Sequence, residues 1–295
     1  MSELSAEPRE TPVAFIDVTG MRRPGTHGGI AEYLVRLWDA RTLAFHEART
    51  SVLSGHQRNR LGSLWLILTP LFNGMVYYVI FGFVFQISKG IDNYIGFLLI
   101  GIFMFQMTSS AITSSADSIF TGRKLLASNS LPVALLPLIN NVKIWLSGIP
   151  SYLVMMLIII IAPPVEDIGW LSLLFFPLMA LQALLMAGFS MVAAHVVARV
   201  HDLKNLLSVG VRAWLYASGV MFSVDRLTNA HPIFGPFVDW NPMHHVLTIA
   251  RDVLLYGTVP ELRSWLIIVL WAIGMIIAGL LILWKGEGSY ELTDG

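Results

Sequence analysis

The side chains that could do acid–base or metal chemistry are few in this sequence, and they are scattered along it. His244 and His245 are adjacent, so they leave a helix in different directions and do not form the same-face pair that a metal ion needs. Glu166 and Asp167 follow two prolines in a short turn, which is typical of a solvated loop rather than of a catalytic pair. His195 lies near the end of an apolar stretch, where a structural role is favoured over a proton relay. The sequence therefore predicts no catalytic and no metal-binding residues.

The sequence motifs for nucleotide binding and hydrolysis are also missing. No G-x-x-x-x-G-K-[ST] stretch could hold nucleotide phosphates, and neither H-E-x-x-H nor G-x-S-x-G occurs. The chain has no cysteine, which excludes disulfides, thiol chemistry and cysteine-ligated metals. We therefore expect a protein that is not an enzyme and that carries no cofactor itself.

The composition indicates a protein of the membrane. The chain has 295 residues, of which 55% are hydrophobic and only 13% are charged, and its mean hydropathy is +0.68. That combination is typical of chains that cross a bilayer several times. The formal net charge is zero, so the basic excess of a nucleic-acid-binding protein is absent.

Six apolar stretches are long enough to cross a hydrocarbon core of about 30 Å as helices. We expect these spans at about 64–86, 94–116, 137–162, 169–198, 206–224 and 265–284. Together they predict a single transmembrane domain over 30–285, between a disordered cytoplasmic tail at 1–29 and a short cytoplasmic tail at 286–295. The predicted fold class is therefore all-α and integral to the membrane.

The start of the first span combines basic, aromatic and helix-bending residues. Arg58 and Arg60 precede a run without charged residues, as expected at the cytoplasmic end of a transmembrane helix. Trp65 suits the level of the lipid headgroups, and Pro70 removes a backbone donor and favours a kink. We expect a shaped helix at this end of the domain.

An amphipathic helix is predicted over 30–48, just before the first span. Apolar residues recur there at helical spacing: Ile30, Leu34, Leu37, Trp38 and Phe45. Such a helix can lie in the membrane interface with its basic residues among the headgroups. A soluble helix packed on a partner protein is the alternative.

The segment 225–263, between the fifth and sixth spans, is too long for a turn, and its apolar pieces are too short to cross a bilayer. Asn241 and Pro242 separate these pieces. The pattern predicts re-entrant helices on the extracytoplasmic side, with a lid-like loop on the membrane surface as an equal alternative. Within the same segment Arg251 and Asp252 are adjacent and could neutralise each other near lipid.

Small residues at helical spacing predict close contacts between some of the spans. Ala183 and Ala187 lie on one face of the fourth span, and Gly274 and Ala278 lie on one face of the sixth. Faces of this kind let two helices approach closely in a membrane.

The distribution of basic residues predicts that both termini are cytoplasmic. With six spans, fifteen of the nineteen Lys and Arg residues lie on the cytoplasmic side, and the other four lie outside, namely Lys89, Arg226, Arg251 and Arg263. Leaving out the three arginines of the far N-terminal tail still gives twelve against four.

Four patterns in order along the chain resemble one family. They are R-x-x-L-G-x-x-W-x-x-L-x-P at Arg58–Pro70, two Leu-Pro pairs at Leu131–Pro137, the connector Arg199–Lys204, and Asn241-Pro242 followed by Arg251. On a six-span frame these resemble the membrane subunits of ABC transporters that export polysaccharides, lipid-linked glycans and teichoic acids, the Wzm-like and TarG-like permeases. The resemblance covers about residues 30 to 285.

The resemblance implies a homodimer bound to two copies of a separate ATPase subunit, which would bind ATP and Mg²⁺, in the plasma (inner) membrane. The substrate would be a lipid-linked glycan. The cytoplasmic connector that would couple the chain to the ATPase holds Thr121, Gly122, Arg123, Lys124 and Leu125.

Two further sites follow from the same resemblance. The substrate would come in beside Arg58, Arg60 and Trp65, where the guanidinium groups could attract pyrophosphate. The extracytoplasmic gate would include Asn241, Pro242 and Arg251.

Three alternatives remain open from the sequence. The chain could belong to an ABC exporter of small molecules or drugs, which has the same architecture. It could be an intramembrane enzyme acting on lipid-linked sugars, although no convergent acids or nucleophile support this. It could also be a passive scaffold or channel.

Overall fold

The computed structural model describes residues 29–54, 64–77, 79–80, 93–122, 125, 131–161, 169–224 and 232–290. In these ranges the regular structure is helical, and no strand is present. The α-helices are α1 (Ile30–Asp39), α2 (Arg41–Ser54), α3 (Trp65–Tyr77), α4 (Tyr94–Ser115), α5 (Ser118–Thr121), α6 (Leu135–Ile161), α7 (Phe175–Arg199), α8 (Leu203–Ala217), α9 (Gly235–Asp239), α10 (Pro242–Arg251) and α11 (Leu262–Tyr290). The all-α prediction is therefore confirmed for the described residues.

Four helical segments of the described chain are long and apolar enough to cross a membrane. They are Tyr94–Ser115, Leu135–Ile161, Trp170–Arg199 and Leu262–Glu287, where the third comprises a 3-10 turn followed by α7. These segments correspond to the second, third, fourth and sixth predicted spans. The chain is thus an integral membrane protein, and the count of six spans stays a prediction.

The first and fifth predicted spans differ from the helices that the structure describes. Helix α3 is apolar but has only 13 residues, and much of the rest of the predicted span at 64–86 lies outside the described residues. Helix α8 ends at Ala217, so the prediction of a span reaching residue 224 is wrong at that end. The chain turns there because Gly219 adopts a left-handed conformation with φ of 68°, which a helix cannot continue through.

The amphipathic segment at 30–48 is two helices rather than one. Helix α1 ends at Asp39, and α2 begins at Arg41 and continues beyond the predicted end to Ser54. The side chains that this segment buries against the protein are mostly small, apart from Tyr33: Ala40, Ala44 and Ala48. Much of the predicted apolar face remains exposed on this chain, including Leu34, Trp38 and Phe45.

Helix α4 lies at the centre of the bundle. It packs against α6, α7, α8 and α10, and most of its side chains are buried in one continuous apolar core. The closest long pairing is between α7 and α11. A Cβ added to Gly188 would lie 2.7 Å from Cβ of Met275 and 2.8 Å from the backbone nitrogen of Ile276, whereas one added to Gly274 would meet no atom within 4 Å. Gly274 therefore makes no close contact within this chain, and the two helices approach each other at Gly188 and Gly279.

Two short helices fill the segment before α11. Helix α9 follows a 3-10 turn, and α10 continues into a π-helical turn that ends at Gly257, whose φ is 59°. Nearly every side chain of α10 is buried, because this helix packs against α4, α7 and α11. A segment too short to cross a membrane is thus enclosed within the bundle.

Candidate functional site: a connector at one end of the bundle and a clamp at the other

The connector after α4 begins with the short helix α5 and packs against the connector after α7. The Asp117 carboxylate forms an ion pair with Lys204, and the ring of Phe120 meets the ring of His201 edge-on at 5.2 Å between centroids. The two connectors therefore contact each other directly. This pairing is not visible in the sequence, because the residues involved are more than eighty positions apart.

The predicted coupling residues, 121–125, come next along the chain after the start of α5. Thr121 ends α5 and is exposed, and its hydroxyl donates to the backbone oxygen of Asp117 at 3.1 Å. Gly122 packs so closely against Leu136 that a side chain at this position would displace it. The backbone N–H of Leu125 donates to the Gly122 oxygen at 3.0 Å. Arg123 and Lys124 lie outside the described residues.

A buried apolar cluster joins this connector to the amphipathic segment. Tyr33 of α1 is fully buried, and its hydroxyl accepts the backbone N–H of Ala134 at 3.0 Å. The cluster also holds Ile119 of α5, Val133, Met191 and Ala194 of α7, and Leu283 of α11. At its edge Arg36 forms an ion pair with Glu287 at 3.6 Å. The cluster therefore packs α5 together with α1, the start of α6, α7 and α11.

Of the three residues predicted at the substrate entry, the structure describes Trp65. Trp65 begins α3 and is half-buried. Arg58 and Arg60 lie outside the described residues. Their role stays a prediction.

The predicted gate residue Asn241 holds α10 to the end of α8. Its side-chain oxygen accepts the Met243 backbone N–H at 3.1 Å, which caps α10, and also accepts the Trp214 indole N–H at 2.8 Å. Its side-chain nitrogen donates to the Ala217 oxygen and to the Ser218 hydroxyl, both at 3.1 Å. Pro242 occupies the first helical position, where a missing N–H costs nothing. The Asn-Pro pair is thus both a helix start and a tie between two elements.

Arg251, at the other end of α10, is buried and reaches into the same turn. One guanidinium nitrogen donates to the backbone oxygens of Phe97, Gly219 and Val220 at 3.1–3.2 Å. The guanidinium carbon lies 3.3 Å from the centre of the Phe97 ring, so a cation–π contact adds to these bonds. We call the set formed by Asn241, Arg251 and the 217–220 turn the α10 clamp.

The clamp differs from the neutralising Arg251–Asp252 pair that the sequence suggested. The guanidinium donates its hydrogen bonds to backbone oxygens, while the negative charge of the neighbouring Asp252 still favours the charged form of Arg251. Burial lowers the pKa of Arg251 to about 9, so the group stays charged at neutral pH. Burial, with the nearby Glu261, raises the pKa of Asp252 to about 6.

His245, for which the sequence disfavoured a metal-ligand role, has a structural role. Its Nε2–H donates to the Asp239 backbone oxygen at 2.9 Å, and Nδ1 accepts the Ser264 hydroxyl at 3.0 Å. Among the described residues no group of three His, Cys, Asp or Glu could hold a metal ion.

A buried polar network inside the spans was not foreseen. The Gln182 side chain of α7 accepts the Tyr152 hydroxyl at 2.8 Å and donates to the Met104 oxygen at 2.8 Å and to Thr108 Oγ1 at 3.0 Å. It therefore joins α4, α6 and α7 where water is excluded. A lone amide in the apolar run at 169–198 was the available signal, because an amide at that depth needs partners.

Comparisons with known proteins agree with this arrangement. The family model described as "ABC-2 type transporter" matches residues 50–255. An O-antigen export system permease protein RfbA of Klebsiella pneumoniae is 25% identical over 204 residues, which cover 69% of this chain and 76% of that protein. RfbA of Myxococcus xanthus is 22% identical over 82% of this chain and 94% of its own length. The polysialic acid transport protein KpsM of Escherichia coli is 24% identical over 68% of this chain and 77% of its own length.

Proposed function

Because this chain belongs to the ABC-2 type transporter family, we propose that it is the membrane subunit of an ATP-driven exporter of a lipid-linked polysaccharide, such as an O-antigen, a galactan or a teichoic acid. Relatives named for O-antigen export and polysialic acid transport support the substrate class. The energy comes from a separate ATPase subunit, which binds ATP and Mg²⁺. This chain supplies the path and the contact surface.

The observation that carries the proposal is the buried cluster around Tyr33 and Ile119. It connects the short helix α5 to the ends of the long helices α7 and α11. An ATPase that moves the Thr121–Leu125 connector therefore moves membrane-spanning helices and not only a loop.

The proposed assembly is a homodimer with two copies of the ATPase. Helix α8 supports a second copy, because within the described structure it buries only Val211 fully and leaves Leu206, Val209 and Arg212 exposed. A charged side chain beside apolar ones suits a face that meets a partner chain or an aqueous path rather than lipid.

The proposed orientation in the plasma (inner) membrane places both termini in the cytoplasm. The exposed apolar side chains of α1 and α2 then rest in the cytoplasmic interface. Arg58, Arg60 and Trp65 take up the substrate on that side, and the α10 clamp holds the re-entrant gate on the other.

A co-purification experiment tests the proposal. The tagged full-length chain is expressed with its ATPase, and residues 121–125 are replaced by a Gly-Ser segment of equal length. We expect the ATPase to co-purify with the natural chain and to be lost with this variant. The matched control replaces the turn at 163–167 in the same way and should keep the ATPase. Loss from the control alone, or retention by the 121–125 variant, contradicts the proposed coupling surface.

A further inference from the structure

A cleft opens between α3, α4 and α6 at the depth of the membrane-spanning helices. Its volume is about 160 Å³, and its polar lining residues are Thr69, Asn73, Gln106, Ser110, Ser147 and Ser151. Gln106 lies near the middle of α4, so the polar groups are not confined to an end of the bundle.

Two glycines and a proline shape this cleft. Pro70 lies inside α3 and lines the cleft. A Cβ added to Gly74 would lie 2.6 Å from Ile158 Cδ1, so α3 crosses α6 at close range there. Gly148 of α6 faces the Met107 side chain of α4 just as closely. The helices therefore touch at these points and leave the space between them open.

The amides and several hydroxyls of the cleft are not used by the protein. Within the described structure the side chains of Asn73, Gln106 and Ser110 make no hydrogen bond, and Asn73 and Gln106 are exposed. In hydrocarbon each such group costs about 1–3 kcal/mol because it has left water without a partner. The open polar lining of the cleft is therefore suited to water or a polar ligand.

The chemistry of the residues that line the cleft indicates which class of ligand suits it. None of the lining residues is charged, so the cleft lacks the Arg or Lys that a phosphate requires. Amides and hydroxyls both donate and accept, which matches the hydroxyl groups of a sugar. The polar face continues along α6, where Asn140 donates to the hydroxyl oxygens of Ser114 at 2.9 Å and Ser115 at 3.3 Å.

We propose that the cleft between α3, α4 and α6 binds a neutral saccharide unit at membrane depth. This inference rests on the proposed function and names a site for its substrate class. The amides of Asn73 and Gln106 bind the sugar hydroxyls, and Phe103 and Ile144 form the apolar wall. The volume of the cleft equals that of about five water molecules at ~30 Å³ each, so the cleft can hold one small saccharide unit at a time.

The absence of cysteine in the chain makes a direct test possible. Ser110→Cys and Ser151→Cys, which line the cleft beside the two amides, are introduced singly into the full-length chain, which is placed with its ATPase in phosphatidylcholine vesicles. A water-soluble maleimide labels a thiol only where water lets it ionise. Leu157→Cys, on the exposed apolar face of α6, is the control and should react slowly.

The ligand probe is a diacylglycerol carrying a neutral disaccharide, compared with phosphatidic acid of the same acyl chains. We expect the maleimide to label both cleft thiols. At a glycolipid concentration of about ten times its Kd, the labelling rate should fall about tenfold. Phosphatidic acid should leave the rate unchanged.

Three results overturn the inference. Unlabelled thiols at both positions mean that a second copy or lipid covers the cleft. Labelling without protection means a wet cleft that binds no saccharide, and equal protection by phosphatidic acid means exclusion by acyl chains. The labelling test needs no ATP hydrolysis and is therefore independent of an export measurement. If the glycolipid protects the thiols but the complex exports no polysaccharide, the proposed function alone is overturned. If the complex exports polysaccharide but the glycolipid does not protect the thiols, this site alone is overturned.

Discussion

At the scale of single residues, Arg251 fixes how the segment before the last span meets the bundle. Its guanidinium donates hydrogen bonds to three backbone oxygens from two separate parts of the chain and makes a cation–π contact with the Phe97 ring. The turn at 217–220 takes the Gly219 and Val220 oxygens out of helical hydrogen bonding, so a long cation is well suited to the position. The residue is therefore a structural part of the proposed gate.

Replacing Arg251 by Met should lower the stability of the fold, because the buried oxygens lose their donor. We expect a loss of about 1–3 kcal/mol, measured as a lower melting temperature by size-exclusion chromatography of the detergent-solubilised protein after heating. Arg263→Met is the control, since its ion pair with Asp239 at 3.5 Å is exposed and should contribute within about 0.5 kcal/mol. Equal shifts for the two variants would show that the clamp does not stabilise the fold.

Residue chemistry could be read from the sequence only where it is local. The cap at Asn241-Pro242 follows from adjacent residues, and its position before a short helix was expected. The bonds from Asn241 to Trp214 and from Gln182 to Tyr152 join distant positions, so the sequence around each residue does not show which partner it has. The lone amide of Gln182 in an apolar run indicates only that it needs one.

At the scale of elements, the pairing of α7 with α11 depends on two glycines, Gly188 of α7 and Gly279 of α11, rather than on the predicted face at Gly274 and Ala278. Gly188 faces the backbone of α11 near Met275, whereas Gly274 faces open space. Hydropathy locates both helices but not their rotation, which is why the sequence selected Gly274.

Gly188→Leu should therefore destabilise the bundle, and Gly274→Leu should be tolerated. The larger side chain at position 188 has to push α11 away, at a cost of about 1–3 kcal/mol typical of overpacking. Melting temperature in detergent measures both variants, which are matched in chemistry. A larger loss for Gly274→Leu would mean that the two helices are rotated relative to this arrangement.

The connectors after α4 and α7 should act as one element because Asp117 and Lys204 hold them together. Asp117→Lys and Lys204→Asp are each expected to lower ATP-driven export, since like charges then face each other. The double swap should restore much of it. The stability effect stays below about 1 kcal/mol, because both side chains are partly exposed.

The same swap at Asp239 and Arg263 serves as the control for this experiment. That pair is more exposed and lies beside α9, away from the connectors, so its reversal should leave export unchanged. Failure of the double swap at Asp117 and Lys204 to restore export would show that the pair is not what joins the connectors.

At the scale of the whole molecule, the length and apolarity of the described helices were predictable, and the shape of the fifth predicted span was not. The second, third, fourth and sixth predicted spans contain helices because each is a long charge-poor run. Helix α8 stops early because Gly219 turns and because Asn241 and Arg251 hold that turn from far along the chain. A window of hydropathy does not contain that information.

The proposed homodimer would also cover apolar side chains that a single chain leaves exposed. Helix α3 exposes Ile67, Phe72 and Met75, and α8 exposes Leu206 beside Arg212. A path for a polar polymer needs walls on all sides, and a second copy would complete them. In the proposed mechanism the ATPase supplies the force, and the cluster around Tyr33 transmits it to the spans.

Transport by purified components tests the central claim most directly. The chain and its ATPase are placed in vesicles whose outer leaflet carries a labelled lipid-linked polysaccharide, and its movement into the lumen is measured on addition of ATP and Mg²⁺. The account predicts movement that requires ATP and both proteins and that is lost when residues 121–125 are replaced. ATP hydrolysis by the complex without movement of the polysaccharide, or movement without ATP, would contradict it.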